Sequence, residues 1–191
     1  MVQYNAQTTG SELVRELADS IRGKVILTTG VSPRGLGAQF VETVAAAKPA
    51  LLILAGRSTT KIQQTADAVA KSHPDVPTRL LRLDLGSLAA VREAAAEVNS
   101  WNDVPAIDVL VNNAAIMGID YTLSPDGLEM QFATNHLGHF LFSNLIMGKL
   151  LAAGKPRIVN VSSAGHRLGP VRFGDLDFHV SLPPDRDNSL S

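Results

Sequence analysis

Residues 24–37 read Lys-Val-Ile-Leu-Thr-Thr-Gly-Val-Ser-Pro-Arg-Gly-Leu-Gly, and this stretch decides the fold. The apolar run Lys24–Thr28 suits a buried strand, and Gly30 ends it. From Gly37 to Ala47 apolar residues recur at helical spacing until Lys48-Pro49 stops them. A glycine-rich turn between a strand and a helix is a phosphate-binding pattern. Glycine permits the tight turn and a close backbone approach, while the helix N-terminus offers unpaired amides and the positive end of its dipole. On that reading Gly30 makes the turn, Gly35 and Gly37 give the close approach, and Ser32, Arg34 and Leu36 complete the loop. An ordinary glycine-rich strand–helix turn is the alternative. No Gly-Lys-Ser/Thr follows, which disfavours a Walker-type nucleotide loop.

Outward from this unit the alternation repeats. Ala50–Ala55, Thr78–Leu83, Ile107–Val111 and Arg157–Val161 are short apolar runs of strand length. Between them lie helical patterns at Thr59–Ser72, at Leu88–Val98 with Ser87 as N-cap, and at Asp126–Ala153, the last with a bend expected at Gly138. Strands alternating with helices predict an α/β, doubly wound parallel sheet (Rossmann-like) of about five strands. The expected organisation is an N-terminal extension over residues 1–22, a dinucleotide-binding domain over 23–180 and a polar tail over 181–191.

Composition narrows the function. With 45% hydrophobic and 18% charged residues the chain is no candidate for wholesale disorder. A net charge of −1 leaves no electrostatic footprint for nucleic acid or an anionic membrane. Without cysteine there is neither a disulfide framework nor a thiolate metal site. No run of about 18 uncharged apolar residues exists to span a membrane, and Met1–Ser20 carries acids where a signal peptide would be apolar. A cytoplasmic protein is expected. His136 and His139 lack a third ligand at suitable spacing, so no metal is expected, and no Gly-x-Ser-x-Gly elbow supports acyl transfer by Ser163 and His166.

The end of the second strand separates cofactors. An acid there would bind a ribose 2′-hydroxyl, whereas an arginine accommodates a 2′-phosphate. The sequence has Gly56-Arg57-Ser58, and Arg34 offers a second positive charge. NADP is therefore the expected dinucleotide, and an S-adenosylmethionine methyltransferase, which wants an acid at this position, is disfavoured. A solvated surface arginine is the alternative for either residue.

At this point the chain resembles the short-chain dehydrogenase/reductase family. The matching residues are Thr29-Gly30 with Gly35 and Gly37, Asp84-Leu85, Asn112-Asn113-Ala114-Ala115, Asn135 and Ser162-Ser163, in the family's order between Lys24 and Phe178. The text around Gly165-His166-Arg167 and Phe173-Gly174-Asp175-Leu176 resembles the retinol-dehydrogenase-like branch, its fungal members especially. The resemblance implies that Asp84 accepts a hydrogen bond from adenine, and that Asn112, Asn113 and Ala114 steady the sheet and line the ribose. It also implies that Asn135 holds a water in a proton relay and that Ser163 bonds the substrate oxygen. Partners would be NADP(H) and a small carbonyl or alcohol, with homo-oligomers open.

The sequence departs from the family in three places. Four residues separate Gly30 from Gly35 where three are usual, and Ala115 replaces the more usual glycine. The family's general acid/base lies in a Tyr-x-x-x-Lys downstream of the serine. Here Tyr4 and Tyr121 are the only tyrosines, and neither has a lysine four residues on. The expectation is therefore a C-terminally shortened dehydrogenase with doubtful turnover and a fold incomplete relative to the family. Its strand edge at Arg157–Val161 and the apolar residues Phe140, Leu141, Leu145 and Leu150 would be uncovered. The rival expectation is a non-catalytic protein that keeps dinucleotide or partner binding.

Overall fold

The computed structural model describes residues 4–169, 171 and 173–176; the expected polar tail and Phe178 lie outside them. Among the described residues five strands form one parallel sheet: β1 (Val25–Thr29), β2 (Leu51–Gly56), β3 (Thr78–Arg82), β4 (Val109–Asn112) and β5 (Arg157–Asn160). Their order across the sheet is β3-β2-β1-β4-β5. Leu27 of β1 stands in register with Ile53 of β2 and Leu110 of β4. At the amino end Asp108 ties β1 to β4, accepting from Val25 N at 2.9 Å and from Lys24 Nζ at 2.8 Å.

Successive residues of a strand point to opposite faces, and both faces are apolar here. Ile26, Leu52, Leu54 and Val111 pack against α3 (Leu36–Ala45) and α4 (Thr59–Ser72) through Val41, Val44, Ile62 and Val69. Leu27, Ile53, Leu81 and Leu110 pack against α5 (Leu88–Ser100), α7 (Gly138–Leu145) and α8 (Met147–Leu151) through Val91, Val98, Phe142 and Leu150. Helices on both faces make the sheet doubly wound, as the alternation predicts. At the amino end α1 (Gly10–Glu16), started by a Thr9–Glu12 capping box, lays Val14 against the α3 side, and α2 (Ala18–Ile21) leads into β1. The Ser87 N-cap is present, accepting from Ala90 N.

Three expectations need correction. The helix expected from Asp126 begins instead at Met130 as α6 (Met130–Phe132). Pro125 and Gly127, the latter at φ 75°, turn the chain so that Leu123 bridges Glu129 antiparallel. The Glu129 carboxylate then caps the helix, accepting from Gln131 N and Phe132 N. Nor is the helix simply bent at Gly138: a π turn, Ala133–Leu137, precedes that residue, and the helix breaks again at Ile146. The expected uncovered apolar face also divides. Leu150 lies in the core at 1% exposure, while Phe140 is 61% exposed and Ile158 and Val159 lie open on edge strand β5.

Gly138 sits where α7 crosses the loop after β3, and a Cβ there would run into the Leu85 carbonyl oxygen. Gly138→Ala should therefore destabilise the protein by about 1–3 kcal/mol despite alanine's better helix propensity. Urea unfolding followed by circular dichroism checks this; a stabilised variant would mean the crossing is looser than described.

Candidate functional site

Connections leave the carboxyl ends of β1 and β4 toward opposite faces of the sheet, so a crevice opens between them, the usual ligand position in such folds. Two clefts flank the loop after β4. One, of about 550 Å³, is bounded by Gly30, Ser32, Arg57, Lys61 and Asp84. The other, of about 770 Å³, is bounded by Leu36, Asn135, Phe140, Asn160 and Ser163. Ala114, Ala115 and Ile116 border both, which makes them one crevice along the strand ends.

The glycine loop is built by close approach. Gly30 has φ 73°, and a Cβ on it would lie 2.6 Å from Ala114 Cα. A Cβ on Gly37 would lie 2.6 Å from both the Gly30 carbonyl oxygen and Asn113 Nδ2. The extra residue between Gly30 and Gly35 is absorbed in a turn closed by Gly35 N donating to Ser32 O at 3.0 Å. Pro33 takes the second position, and Arg34 takes the third with φ 64°, where glycine is usual. Helix α3 starts at Gly35 with no side-chain cap, whereas Thr9, Ser58 and Ser87 cap α1, α4 and α5. The amides of Leu36, Gly37 and Ala38 are thus left without partners among the described residues.

Loop 113–116 is held from two sides. Thr29 Oγ1 accepts from Asn113 N at 3.0 Å and Ala114 N at 2.9 Å, and Asn113 Nδ2 donates to Thr29 O at 2.9 Å. Asn135 grips the Ile116 backbone with both ends of its amide, each at 2.8 Å. Asn112 is buried below the loop and donates to Ser143 Oγ at 3.1 Å and Asn160 Oδ1 at 2.9 Å. It therefore braces β4 against β5 and borders the second cleft rather than the first.

Of the remaining expected residues Arg57, Asp84 and Ser163 line the clefts, whereas Arg34 lines neither. Arg57 and Arg34 are exposed, and Arg57 forms no ion pair among the described residues. Asp84 is half-buried, and its Oδ1 accepts from Gly86 N at 3.0 Å. Ser163 starts a short 3₁₀ turn, accepting from Gly165 N at 3.1 Å, while His166 Nδ1 turns to the Ser163 carbonyl. That ring serves the backbone and not the Ser163 hydroxyl.

Sequence reasoning missed Lys61, and it weighed His139 as a metal ligand or a solvated or core-satisfied residue without seeing its partners. Lys61 borders the first cleft beside Arg57 and is likewise unpaired. A cation in the first turn of α4 opposes the helix dipole, which was its available signal. His139 is 6% exposed, with Nε2 at 2.9 Å from Thr29 Oγ1 and Nδ1 at 3.3 Å from the Asn135 carbonyl oxygen. Burial pushes its pKa below the usual histidine value, with the neighbouring His136 adding to the effect. Its spacing to Phe142, Ser143 and Ile146 marks the buried face of the helix.

A family profile described as short chain dehydrogenase matches residues 24–173. Oxidoreductase fscI of Fusarium equiseti is 35% identical over 193 residues, covering 97% of this chain and 74% of that protein. Retinol dehydrogenase 13 of Mus musculus is 38% identical over 161 residues, covering 84% of this chain and 47% of the other. A crystal structure from Mycobacterium paratuberculosis aligns with TM-score 0.67 and 33% identity, over 85% of this chain and 55% of that one. The NADPH-bound carbonyl reductase from chicken fatty liver shares the fold at TM-score 0.60 and 24% identity, over 75% of this chain and 61% of its own. The chain thus spans about three quarters of the fungal relative and about half of the retinol dehydrogenase.

Arg34 supplies a stability test of the loop. A left-handed conformation costs a residue with a side chain about 1–2 kcal/mol that glycine avoids. Arg34→Gly should raise the urea midpoint by the equivalent of about 1 kcal/mol, less the larger chain entropy of glycine in the unfolded state. A lowered midpoint would show that the turn does not hold residue 34 at positive φ.

Proposed function

The chain belongs to the short chain dehydrogenase family, and from that premise we propose that it binds NADP(H) along the carboxyl ends of its strands as part of a carbonyl/alcohol oxidoreductase. The observation that carries the reading is an unsatisfied set of groups along the strand-end crevice: free amides at the start of α3, where Leu36 borders the second cleft, and two unpaired cations on the first. The Leu36, Gly37 and Ala38 amides suit a pyrophosphate, and Arg57 with Lys61 suits a 2′-phosphate. Gly30 and Gly37 contribute indirectly: a Cβ on either would strike Ala114, Asn113 or the Gly30 carbonyl, so they set the position of the free amides. Ser32, Arg34 and Gly35 form the outer wall of the loop, Asp84 receives the adenine amino group, and Asn113 and Ala114 face the ribose. Asn112 acts from below, as a brace.

In this reading the nicotinamide supplies or accepts the hydride. The chain's own part is to place and polarise the substrate oxygen. Ser163 accepts from Gly165 N, which leaves its hydroxyl proton free to donate to that oxygen. The Asn135 side chain is engaged with Ile116, so its proposed relay water falls to its carbonyl, which keeps a second lone pair. We further propose residues 1–22 as an extension, 23–180 as the dinucleotide-binding domain and a cytoplasmic site of action. No helix among the described residues is long and apolar enough to cross a membrane. Self-association of the chain is part of the same proposal.

A second reading, dinucleotide binding without catalysis, is favoured by one observation. Neither Tyr4 nor Tyr121 heads a Tyr-x-x-x-Lys, so these 191 residues hold no phenol tuned to pass a proton as hydride moves. A positioned general acid supplies about 10²–10⁴-fold.

Two experiments follow. Calorimetric titration should give tighter binding of NADP(H) than NAD(H), with Arg57→Ala losing about 1–3 kcal/mol selectively for NADP(H). Equal affinities in the parent would overturn the cofactor assignment, and binding that survives Gly37→Val would reduce the loop to a plain turn. In an NADPH oxidation assay on ketones, aldehydes and quinones, the 191-residue chain should show no measurable turnover. Robust turnover lost in Ser163→Ala would reveal another acid at work.

A further inference from the structure

We infer that His139 is a positioning residue that ties the glycine-loop strand to the turn bearing Asn135, accepting the Thr29 hydroxyl proton on Nε2 and donating its Nδ1 proton to the Asn135 carbonyl. The inference rests on the dinucleotide reading above for its effect on binding, and on hydrogen-bond geometry for the tie itself.

A hydroxyl has one proton and two lone pairs. Both lone pairs of Thr29 Oγ1 are taken by the amides of Asn113 and Ala114. Its proton has two acceptors within reach, Val111 O at 3.4 Å and His139 Nε2 at 2.9 Å, and the shorter bond is the better one. On the other side of the ring Nδ1 faces a carbonyl oxygen, which can only accept. The proton of a neutral imidazole therefore sits on Nδ1, which leaves Nε2 as the acceptor that Thr29 needs. One tautomer satisfies both bonds.

The tie closes a circuit. Thr29 holds the amides of Asn113 and Ala114, Asn135 holds the backbone of Ile116, and His139 joins Thr29 to Asn135. The loop between the two clefts is thus gripped at both ends by residues that share one imidazole. Adding a proton breaks the circuit, because Nε2–H would then point at an oxygen whose lone pairs are occupied.

The surroundings favour the neutral ring. Desolvation opposes its charge, and His136 is the other titratable group lining the same cleft. Strands β1 and β4 carry no charged residue, and Arg92, Glu93 and Glu97 of the adjacent α5 are exposed. A histidine with a lowered native pKa contributes its full stability above the unfolded value of about 6.5 and loses it as pH falls toward the native one. The tie should therefore weaken with acidification, never with alkalinisation.

The test uses the 191-residue chain and NADP⁺, which tolerates acid. Long-range ¹H–¹⁵N spectra, with His139 assigned by its absence in His139→Gln, should show the Nδ1–H tautomer at pH 7.5 and a titration midpoint below that of an exposed histidine. Glutamine can still accept from Thr29 but cannot gain a proton. His139→Gln should therefore bind NADP⁺ within about 2-fold of the parent at pH 7.5, and His139→Leu about 2–10-fold more weakly. The parent should lose affinity through the His139 midpoint, with that step missing in His139→Gln. An Nε2–H tautomer, equal losses in the two variants, or matching pH profiles in parent and His139→Gln would each overturn the inference. If the parent binds no NADP⁺ at any pH, the dinucleotide reading fails. The tie is then decided by the Ala114 amide shift, which follows the His139 midpoint if the tie exists and ignores it if not.

Discussion

At the carboxyl end of β1 three stretches of backbone meet where no side chain fits. Gly30 presses on Ala114, and Gly37 presses on both Gly30 and Asn113. Helix α3, the end of β1 and the loop after β4 are locked to one another at van der Waals distance, and the polar groups trapped there must find partners inside the contact. Asn113 supplies a donor to the Thr29 and Gly30 carbonyls, and Thr29 supplies acceptors to two amides. The position of the crevice follows from this contact, because the free amides of α3 and the loop that divides the clefts are both fixed by it.

The sheet was legible in the sequence because its strands are buried on both faces. A parallel strand in that setting must be a short continuous apolar run, and Ala50–Ala55 and Ile107–Val111 can be little else. The glycine loop was legible for the reason just given. Position 126 is different. Asp126-Gly127-Leu128-Glu129 carries helix-compatible residues, but its conformation is set by distant partners: Asp126 caps Leu88 of α5, and Ser124 N bonds Leu128 O. The π turn likewise left no mark in the local text. It arises where Gly138 is drawn onto the Leu85 carbonyl while Asn135 reaches for Ile116. His139 was readable as buried from its spacing, but its partner Thr29 is 110 residues away in sequence.

Whole-chain charge conceals the local electrostatics. A net charge of −1 says that no large region attracts an anion. At the strand ends, however, Arg57 and Lys61 line the first cleft with no acid ion-paired to either among the described residues, and the uncapped start of α3 adds its free amides to the same crevice. A field of this kind acts over about a Debye length, roughly 8 Å at physiological ionic strength. Charge of that reach acts on whatever already occupies the crevice and does little at a distance.

The π turn at Ala133–Leu137 has a geometric consequence for the helix that contains it. Each residue of an α-helix advances the side-chain azimuth by about 100°, and a π turn accommodates one residue beyond that count. Everything after it, including Phe142, Ile146 and Leu150 in the core, keeps its own angular phase, while Asn135 within it is set to a different one. The two halves of one helix can therefore answer to two surfaces, a packed sheet and an open crevice, that no single uninterrupted α-helical stripe could face at once. The same surplus residue lets Asn135 reach the Ile116 backbone while Phe142, Ile146 and Leu150 stay seated in the core.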